Sequence, residues 1–370
     1  MESLAMTGAH WRGTRVFLTG HTGFKGGWLV MMLHELGAEV HGYALGPPTR
    51  PSLFEECRIA GLLASHVVAD IRDASRVRGA IETAQPRVVF HFAAQPIVRR
   101  SYREPLETFA TNVMGTANLL EACRSVPGVR AIVNITSDKC YENREHESPY
   151  REGDAMGGHD PYSASKGCAE LATAAWRRSF LSAAGAQVAT ARSGNVIGGG
   201  DWAEDRLVPD FLRALGEGRE LLLRAPRATR PWQHVLEPLA GYLTLAERLL
   251  GDDGERYASA WNFGPASTDD RTVQWVAERL CAQVPGARWG LDPRPSQHPH
   301  EAGLLALDST RAQSLLGWMP RWNAEEAIRR TVEWHLAWRA GRDMRSFSLE
   351  QIRTHAATGP ALAPAAQGSR

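Results

Sequence analysis

The sequence predicts an α/β protein, a doubly wound parallel sheet carrying a smaller, mixed C-terminal lobe. Three observations predict it. Short apolar runs alternate with helical stretches from Arg15 onward. Those runs are continuous rather than alternating in polarity, as strands buried on both faces require. The first run is followed at once by a glycine-bearing turn that opens a helix.

Taken in order, residues 15–19 (RVFLT) are the first strand and 24–36 the first helix. Residues 39–44 (EVHGYA) and 66–69 (HVVA) are the next strands, followed by a helix at 74–83 and a strand at 87–91 (RVVFH). A long helix covers 103–125, with Ala117, Leu119, Leu120 and Ala122 marking its buried sides. Residues 129–136 (VRAIVNIT) form a fifth strand, 162–181 another long helix and 187–191 (QVATA) a sixth strand. After Ser193 the rhythm changes: Gly198, Gly199, Gly200, Pro209, Pro226 and Pro231 punctuate the chain, and helices at 209–215 and 324–340 stand among loops. The expected organisation is a loose leader (1–14) and a dinucleotide-binding domain (15–192 plus 235–263, the latter holding a helix and the strand AWNF at 260–263). A nucleotide-sugar lobe (193–234 plus 264–345) and a flexible tail (354–370) complete it.

Composition narrows the class. The 370 residues carry 42 Lys+Arg against 41 Asp+Glu, a formal charge of +1, which lacks the basic surplus of a nucleic-acid binder. No run of 18 apolar residues suggests a membrane span, and no apolar segment near the start suggests a secretory signal. Five dispersed cysteines without a C-x-x-C pair give neither a disulfide framework nor a metal site, and point to a reducing cytoplasm. Twelve tryptophans are many; core packing is the plain explanation, and flat-ring or sugar pockets the alternative.

Gly20, His21, Thr22, Gly23, Phe24, Lys25 and Gly26 spell G-x-x-G-x-x-G between the first strand and the first helix. Glycines there let the backbone approach a pyrophosphate, and the helix N-terminus adds free N–H groups, so this loop is the candidate dinucleotide site of a Rossmann-type domain. The second strand ends in Tyr43, Ala44, Leu45 and Gly46 without an acid for an NAD ribose, while Arg50 beyond it suits a 2′-phosphate; NAD and NADP both stay open at this point. Asp70 and Ile71, after the third strand, are placed to meet an adenine, or Asp70 simply caps the following turn.

Tyr162 and Lys166, four residues apart, share one helical face. The ammonium is expected to lower the phenol's pKa and make it a base toward a sugar hydroxyl. Ser137, Asp138 and Lys139 end the fifth strand, where an open α/β sheet meets its substrate.

On these residues the chain resembles the extended short-chain dehydrogenase/reductase superfamily, and within it the nucleotide-sugar 4,6-dehydratases, in the branch acting on CDP-glucose. The resemblance runs from about Arg15 to Arg353 through GHTGFKGGWL (20–29), HFAAQPIVRRSY (91–102), TNVMGT (111–116), TSDKCYENRE (136–145), GGHDPYSASK (157–166), GNVIGGGDW (194–202), RPWQHVLEPLAGYL (230–243) and PHEA (299–302). It implies that Tyr162 takes the 4-hydroxyl proton while hydride leaves C4 for a bound NAD, with Ser137 on the same hydroxyl and Lys166 on the nicotinamide ribose. Asp138 then protonates the departing 6-hydroxyl, Lys139 removes the C5 proton, and hydride returns to C6. It further implies cofactor contacts from Phe92, Ala93 and Ala94, with Asn112 holding a helix bend near Lys166. Substrate contacts would come from Gln95, Asn195, Asp201, Trp202, Arg206, Leu207, Arg230, His300 and Glu301. Trp202 and Trp232 fall inside these motifs; Trp28, Trp334 and Trp338 read as core. A homodimer is implied by the same resemblance.

One stretch departs from the family. His146, Glu147, Ser148 and Pro149 replace an aromatic run, which leaves room for another nucleotide sugar. Two other readings compete. A nucleotide-sugar 4-epimerase shares Tyr162, Lys166 and the glycine loop but has no use for an acid–base pair at 138–139. A dinucleotide-binding regulator without turnover would not need both Tyr162 and Lys166.

Overall fold

The computed structural model describes residues 10–266, 269–294 and 302–359. Strand β1 (Arg15–Thr19) leads through the glycine turn to helix α1 (Phe24–Glu35), then β2 (Glu39–Ala44), the short α2 (Leu53–Glu56), β3 (Ser65–Val68), α3 (Ala74–Ala84) and β4 (Val88–His91). Helices α4 (Val98–Arg103) and α5 (Pro105–Phe109) follow. The latter continues through a π-helical turn (Ala110–Met114) into α6 (Gly115–Arg124), before β5 (Ala131–Ile135), α7 (Pro161–Trp176) and β6 (Gln187–Ser193). The expected helix at 103–125 therefore starts later: Pro105 cannot extend a preceding helix but suits a first turn, so the chain breaks at Glu104.

The main sheet has seven parallel strands in the order β11-β6-β5-β4-β1-β2-β3, where β11 is Ala260–Phe263. Chain order reverses between β1 and β4, and a cleft opens there beyond the strands' C-terminal ends. β4 and β5 are buried along their whole length, the reason their sequences are mainly apolar, with His91 and Asn134 the polar members.

The second lobe is built from small pieces. β7 (Val196–Ile197) pairs with β10 (Gln233–His234), β8 (Leu221–Leu223) with β13 (Trp289–Leu291), and β9 (Thr229–Pro231) with β12 (Asp270–Thr272). Between them lie α8 (Leu207–Gly216), α9 (Leu236–Leu250), which packs on the main sheet, and α10 (Val273–Gln283). Phe211, Leu221, Val276, Leu280 and Ile328 share the lobe's apolar core.

Two boundaries differ from the expectation. The leader is ordered at its end: Trp11 is fully buried, lies 6.1 Å from the Phe90 ring and donates its Nε1–H to Glu247 at 2.6 Å. The tail begins later, because α12 (Met344–Ala357) carries the fold past Thr354, with Arg353 on Glu35 and buried His355 2.9 Å from Glu237. Residues 360–370 and 1–9 lie outside the described residues. Nor does 264–345 stay in the second lobe. In α11 (Ala324–Arg339) the first half, with Ala327, Ile328 and Val332, serves that lobe's core. Its second half, with Trp334 and Ala337, joins the core of the main domain.

Trp334 is wholly buried, donates to Ser348 and packs so closely on Gly199 that a Cβ there would sit 1.9 Å from the indole. Trp334→Ala should cost about 3–5 kcal/mol of unfolding free energy, read as a lower denaturant midpoint; a loss under about 1 kcal/mol would contradict this packing.

Candidate active site

The glycine loop is shaped for close backbone approach. Gly20 has φ +77°, and a Cβ there would meet Ala93 N and Phe92 C at 2.8 Å. A Cβ on Gly26 would lie 2.2 Å from the Gly20 carbonyl oxygen, whereas one on Gly23 would find its nearest neighbour at 3.4 Å. Gly20 and Gly26 thus hold the turn, and Gly23 leaves room over the N-terminus of α1. Thr22 donates to the Leu45 carbonyl at 2.8 Å. The Thr19 hydroxyl accepts from Phe92 N and Ala93 N, both at 3.1 Å, and fixes the β4 exit against the loop. These features fit the pyrophosphate of a dinucleotide.

At the far end of this groove, Tyr43 donates to the Asp70 carbonyl at 2.7 Å, and Ile71 packs on Gly115. The Asp70 carboxylate accepts from the Arg72 amide and guanidinium, which holds its pKa below the usual range. Arg50 is highly exposed, 3.9 Å from Glu55.

The catalytic candidates converge where β5 and α7 meet the cleft. Asp160 caps α7 by accepting from Ser163 N at 2.9 Å, Pro161 takes the first turn, and Tyr162 follows. Tyr162 and Lys166 are both nearly buried. The expected lowering of the phenol does not occur. Burial, the largest effect, pushes Tyr162 up to about 12, opposed by Ser137 and Arg206 and reinforced by Asp138. Lys166 is itself pushed down to about 8 by burial, and its Nζ bonds the Ile135 carbonyl at 3.4 Å. Burial outweighs the Ser137 hydrogen bond and the Arg206 charge that favour the phenolate.

Ser137 caps the tight turn Asp138–Cys140 by accepting from Lys139 N at 3.2 Å and donates to Asp138 Oδ1 at 3.0 Å. Asp138 is 3% exposed, and its Oδ2 has no hydrogen-bond partner among the described residues. Burial raises its pKa, against the pull of Lys139, Ser137, Arg230 and Lys25. Lys139 is half-buried at the cleft wall.

Asn112 sits one layer behind, inside the π-helical turn. Its amide holds both the N–H and the carbonyl of Gln95 and donates to Ser165 at 2.8 Å. The Gln95 side chain is engaged with Ile97 and Thr108. It shapes the 95–97 loop, so that residue meets the cleft as a wall.

On the second lobe's side, Asp201 accepts from Ala203 N at 3.1 Å and Arg206 at 2.8 Å. Leu207 begins α8, and the Asn195 carbonyl accepts from Gln233 N. Buried Arg230 donates to the Thr229 and Ala302 carbonyls and acts electrostatically on Asp138. Trp202 meets Trp334 and Trp338 edge-to-face at 5.7 and 5.2 Å, while Trp232 is 4% exposed and donates to the Arg271 carbonyl. Both border the cleft, with their rings engaged mainly in packing. His146 tilts over Tyr150 at 4.6 Å, and Tyr150 stacks on Tyr141 at 5.1 Å, so rings from elsewhere fill the stretch where the aromatic run is missing.

One cleft of about 1210 Å³ gathers the predicted residues, apart from Asn112 behind its wall and His300 and Glu301, which lie outside the described residues. That exceeds a pocket for one small ligand and suits a dinucleotide beside a second molecule. Sequence reasoning missed the floor of the site. Glu170, one turn after Lys166, pairs with Arg192 at 2.8 Å, and Arg192 also donates to Tyr141 at 2.8 Å. The available signal was Arg192 itself, a charge inside a strand otherwise buried, which demands a partner. The contacts of Asp205 with Arg99 of α4 and with Arg224 of its own lobe, both at 3.1 Å, had no local signal. Among the described residues no three His, Cys, Asp or Glu side chains form a metal cluster.

Residues 17–331 match the family model described as GDP-mannose 4,6 dehydratase. The chain belongs to this family. It is 51% identical over 348 residues to the CDP-glucose 4,6-dehydratase of Salmonella typhimurium, covering 92% of this chain and 96% of that one. It is 30% identical over 363 residues to the dTDP-glucose 4,6-dehydratase of Streptomyces antibioticus, covering 95% and 99%. Among solved structures, a double mutant of DesIV, a dTDP-glucose 4,6-dehydratase from Streptomyces venezuelae solved with NAD and DAU, superposes with a TM-score of 0.73 at 23% identity, over 90% of this chain and 100% of that one. A UDP-glucose-4-epimerase from Stenotrophomonas maltophila superposes equally well, at 0.75 and 22% over 89% and 99%. The backbone of this family of dehydratases therefore does not distinguish the two reactions; side chains must.

Gly26→Ala forces the loop open against the Gly20 carbonyl. The variant should release far less nicotinamide dinucleotide on denaturation than the parent, at equal protein concentration. Equal release would show that this loop is not the cradle.

Proposed function

We propose that this chain is an NAD-dependent nucleotide-sugar 4,6-dehydratase that converts CDP-D-glucose to CDP-4-keto-6-deoxy-D-glucose. The observation that carries the reading is the buried Asp138 carboxyl, raised in pKa and with Oδ2 unpartnered, beside Lys139 in the cleft that holds Tyr162. An acid and a base placed together serve elimination; inversion at C4 needs neither.

When bound, NAD supplies a positively charged ring that accepts hydride from C4 and later returns it to C6. Tyr162 takes the 4-hydroxyl proton, with Ser137 on the same oxygen. Added cationic charge moves the phenol in the direction it needs from about 12. Lys166, near 8 and anchored to the Ile135 carbonyl, holds the nicotinamide ribose. Once C4 is a ketone the C5 proton is acidified, and Lys139 removes it. Asp138, whose pKa burial raises, gives its proton to the departing 6-hydroxyl oxygen, and water leaves. Lys139 returns a proton to C5 as hydride reaches C6. Phe92, Ala93 and Ala94 line the nicotinamide side, and Asp70 and Ile71 the adenine side. Arg230 and Asn195 face the diphosphate, while Asp201, Trp202, Arg206 and Leu207 border the nucleotide.

The protein alone, without added reductant, should convert CDP-glucose to a product lighter by one water, with deuterium placed at C4 reappearing at C6. Tyr162→Phe should reduce turnover by about 10²–10⁴-fold without changing the circular dichroism spectrum. Inversion at C4 without loss of water would establish an epimerase, and conversion of a dTDP- or UDP-sugar in preference to CDP-glucose would reassign the substrate.

The active form is read as a cytoplasmic homodimer. The cysteines are free, which suits a reducing compartment. Leu106 (86% exposed), Met114 (57%) and Leu171 (62%) crowd the packed surface of α5, the π-helical turn and α7, too much apolar area to leave in water by preference. A second copy applying the same face would cover it. Paired substitution Leu106→Glu with Leu171→Glu should shift the mass seen by light scattering from dimer to monomer. A parent already monomeric at micromolar concentration would refute this.

A further inference from the structure

Lys25 belongs by sequence to the dinucleotide loop, yet its ammonium is elsewhere. From the first turn of α1 its Nζ donates to Ser193 Oγ at 2.9 Å, at the C-terminal end of β6. The same oxygen accepts from the Tyr242 hydroxyl at 2.8 Å, so both donors are anchored to one acceptor. The next residue, Gly194, lies so close to Asp138 that a Cβ there would stand 2.9 Å from Oδ2, the carboxyl oxygen without a partner. Lys25 on Ser193 and Asp138 beside Gly194 thus stand against adjacent residues of the cleft lining, and each acts on the other's charge. Burial brings Lys25 down to about 7, with Arg206 and Lys166 adding to the fall and Asp138 and Asp201 opposing it.

We propose that Lys25 is a positioning residue of the elimination step, acting through Asp138 as the buried cation that stabilises the carboxylate formed when the acid protonates the departing 6-hydroxyl. In that step the C5–H bond breaks toward Lys139 and the C6–O bond breaks. The Asp138 proton goes to O6, water leaves, and one negative charge is created on a carboxyl that is almost wholly buried. A buried carboxylate needs a cation near it. Lys139 and Arg230 also act on Asp138, but Lys139 is taken up as the C5 base and Arg230 spends donors on the 229 and 302 carbonyls, whereas the Lys25 ammonium bonds a neutral hydroxyl. Such a cation contributes to C6–O cleavage and nothing to hydride removal from C4.

This inference rests on the dehydratase reading, and the test separates the two. Lys25→Met keeps the length and removes the charge; Ser193→Ala keeps the charge and removes its anchor. Each is compared with the parent on CDP-glucose and on CDP-6-deoxy-6-fluoroglucose, whose leaving fluoride depends less on a proton donor. Bound dinucleotide and melting temperature are recorded for all three proteins. The expected result is at least a tenfold loss of kcat on CDP-glucose for Lys25→Met, about what one pKa unit at the acid is worth. The loss should be much smaller on the fluoro sugar, with reduced cofactor accumulating during turnover of CDP-glucose. Ser193→Ala should show the same pattern more weakly. Equal losses on both sugars in step with lost dinucleotide would overturn the proposal and return Lys25 to the cofactor. Unchanged kcat in both variants would also overturn it. Failure of the parent itself to release water from any nucleotide sugar would instead overturn the dehydratase reading.

Discussion

The buried ion pair between Glu170 and Arg192 is the constraint around which the rest of the site is arranged. Both side chains are almost without exposure, and the carboxylate has no spare capacity. Oε1 accepts from Thr136 and from Arg192 Nε at 2.9 Å. Oε2 accepts from Thr190 at 2.7 Å and Arg192 Nη2 at 2.8 Å. Arg192 Nη1 donates to the Tyr141 hydroxyl and the Glu152 carbonyl. Such a pair contributes little net stability over an apolar core, but removing one partner strands a charge at a cost of about 3–5 kcal/mol. Its value lies in what it joins. Thr136 and Tyr141 bracket the Asp138–Lys139 turn, Glu170 stands one helical turn beyond Lys166, and Tyr141 reaches Asn262 in β11. One ion pair thus sets the register between the turn carrying the acid and the helix carrying the phenol.

Above that floor a single effect governs the titrating groups. Burial raises Tyr162 and Asp138 and lowers Lys166 and Lys25, so each is pushed toward its neutral form. For Asp138, Lys166 and Lys25 the shift runs toward the working pH, where a group changes state with a modest change in its neighbours, whereas the phenol is moved away from it. Low polarity thus does what no one pairwise contact does: at Tyr162 burial outweighs both the Ser137 hydrogen bond and the Arg206 charge.

The sequence made some layers of this structure readable and hid others for physical reasons. The main sheet was legible because strands buried on both faces must be apolar throughout, and the glycine loop because close backbone approach admits no side chain at 20 or 26. Pro105 and the caps at Asp73 and Asp160 are local signals, open to a closer reading. The second lobe's strands were not legible: two- and three-residue pieces such as Val196–Ile197 have no period to detect and are specified by distant partners. Trp11 was misread because nothing local announces that a residue near the terminus will dock on Phe90. Lys25 was assigned by its motif, while its side chain is directed by Ser193, 168 positions away.

The similarity of the backbone to both dehydratases and an epimerase locates where specificity for the reaction resides. Both reactions begin with oxidation at C4, so the glycine loop, Tyr162 and Lys166 serve either equally. They part after the ketone forms. An epimerase must let the ketone turn over in the site and take hydride back on its other face. A dehydratase must instead hold it while C5 and C6 react. Asp138 and Lys139 lie on a three-residue turn whose carboxyl is locked by Ser137 on one oxygen and left open on the other. That open oxygen points the chemistry away from C4. On the proposed reading, a proton delivered at O6 favours loss of water over rotation of the ring, and the enone so formed offers C6 to the returning hydride. The choice between the two reactions on this fold then lies in the order of proton transfers, which the buried turn after β5 would set.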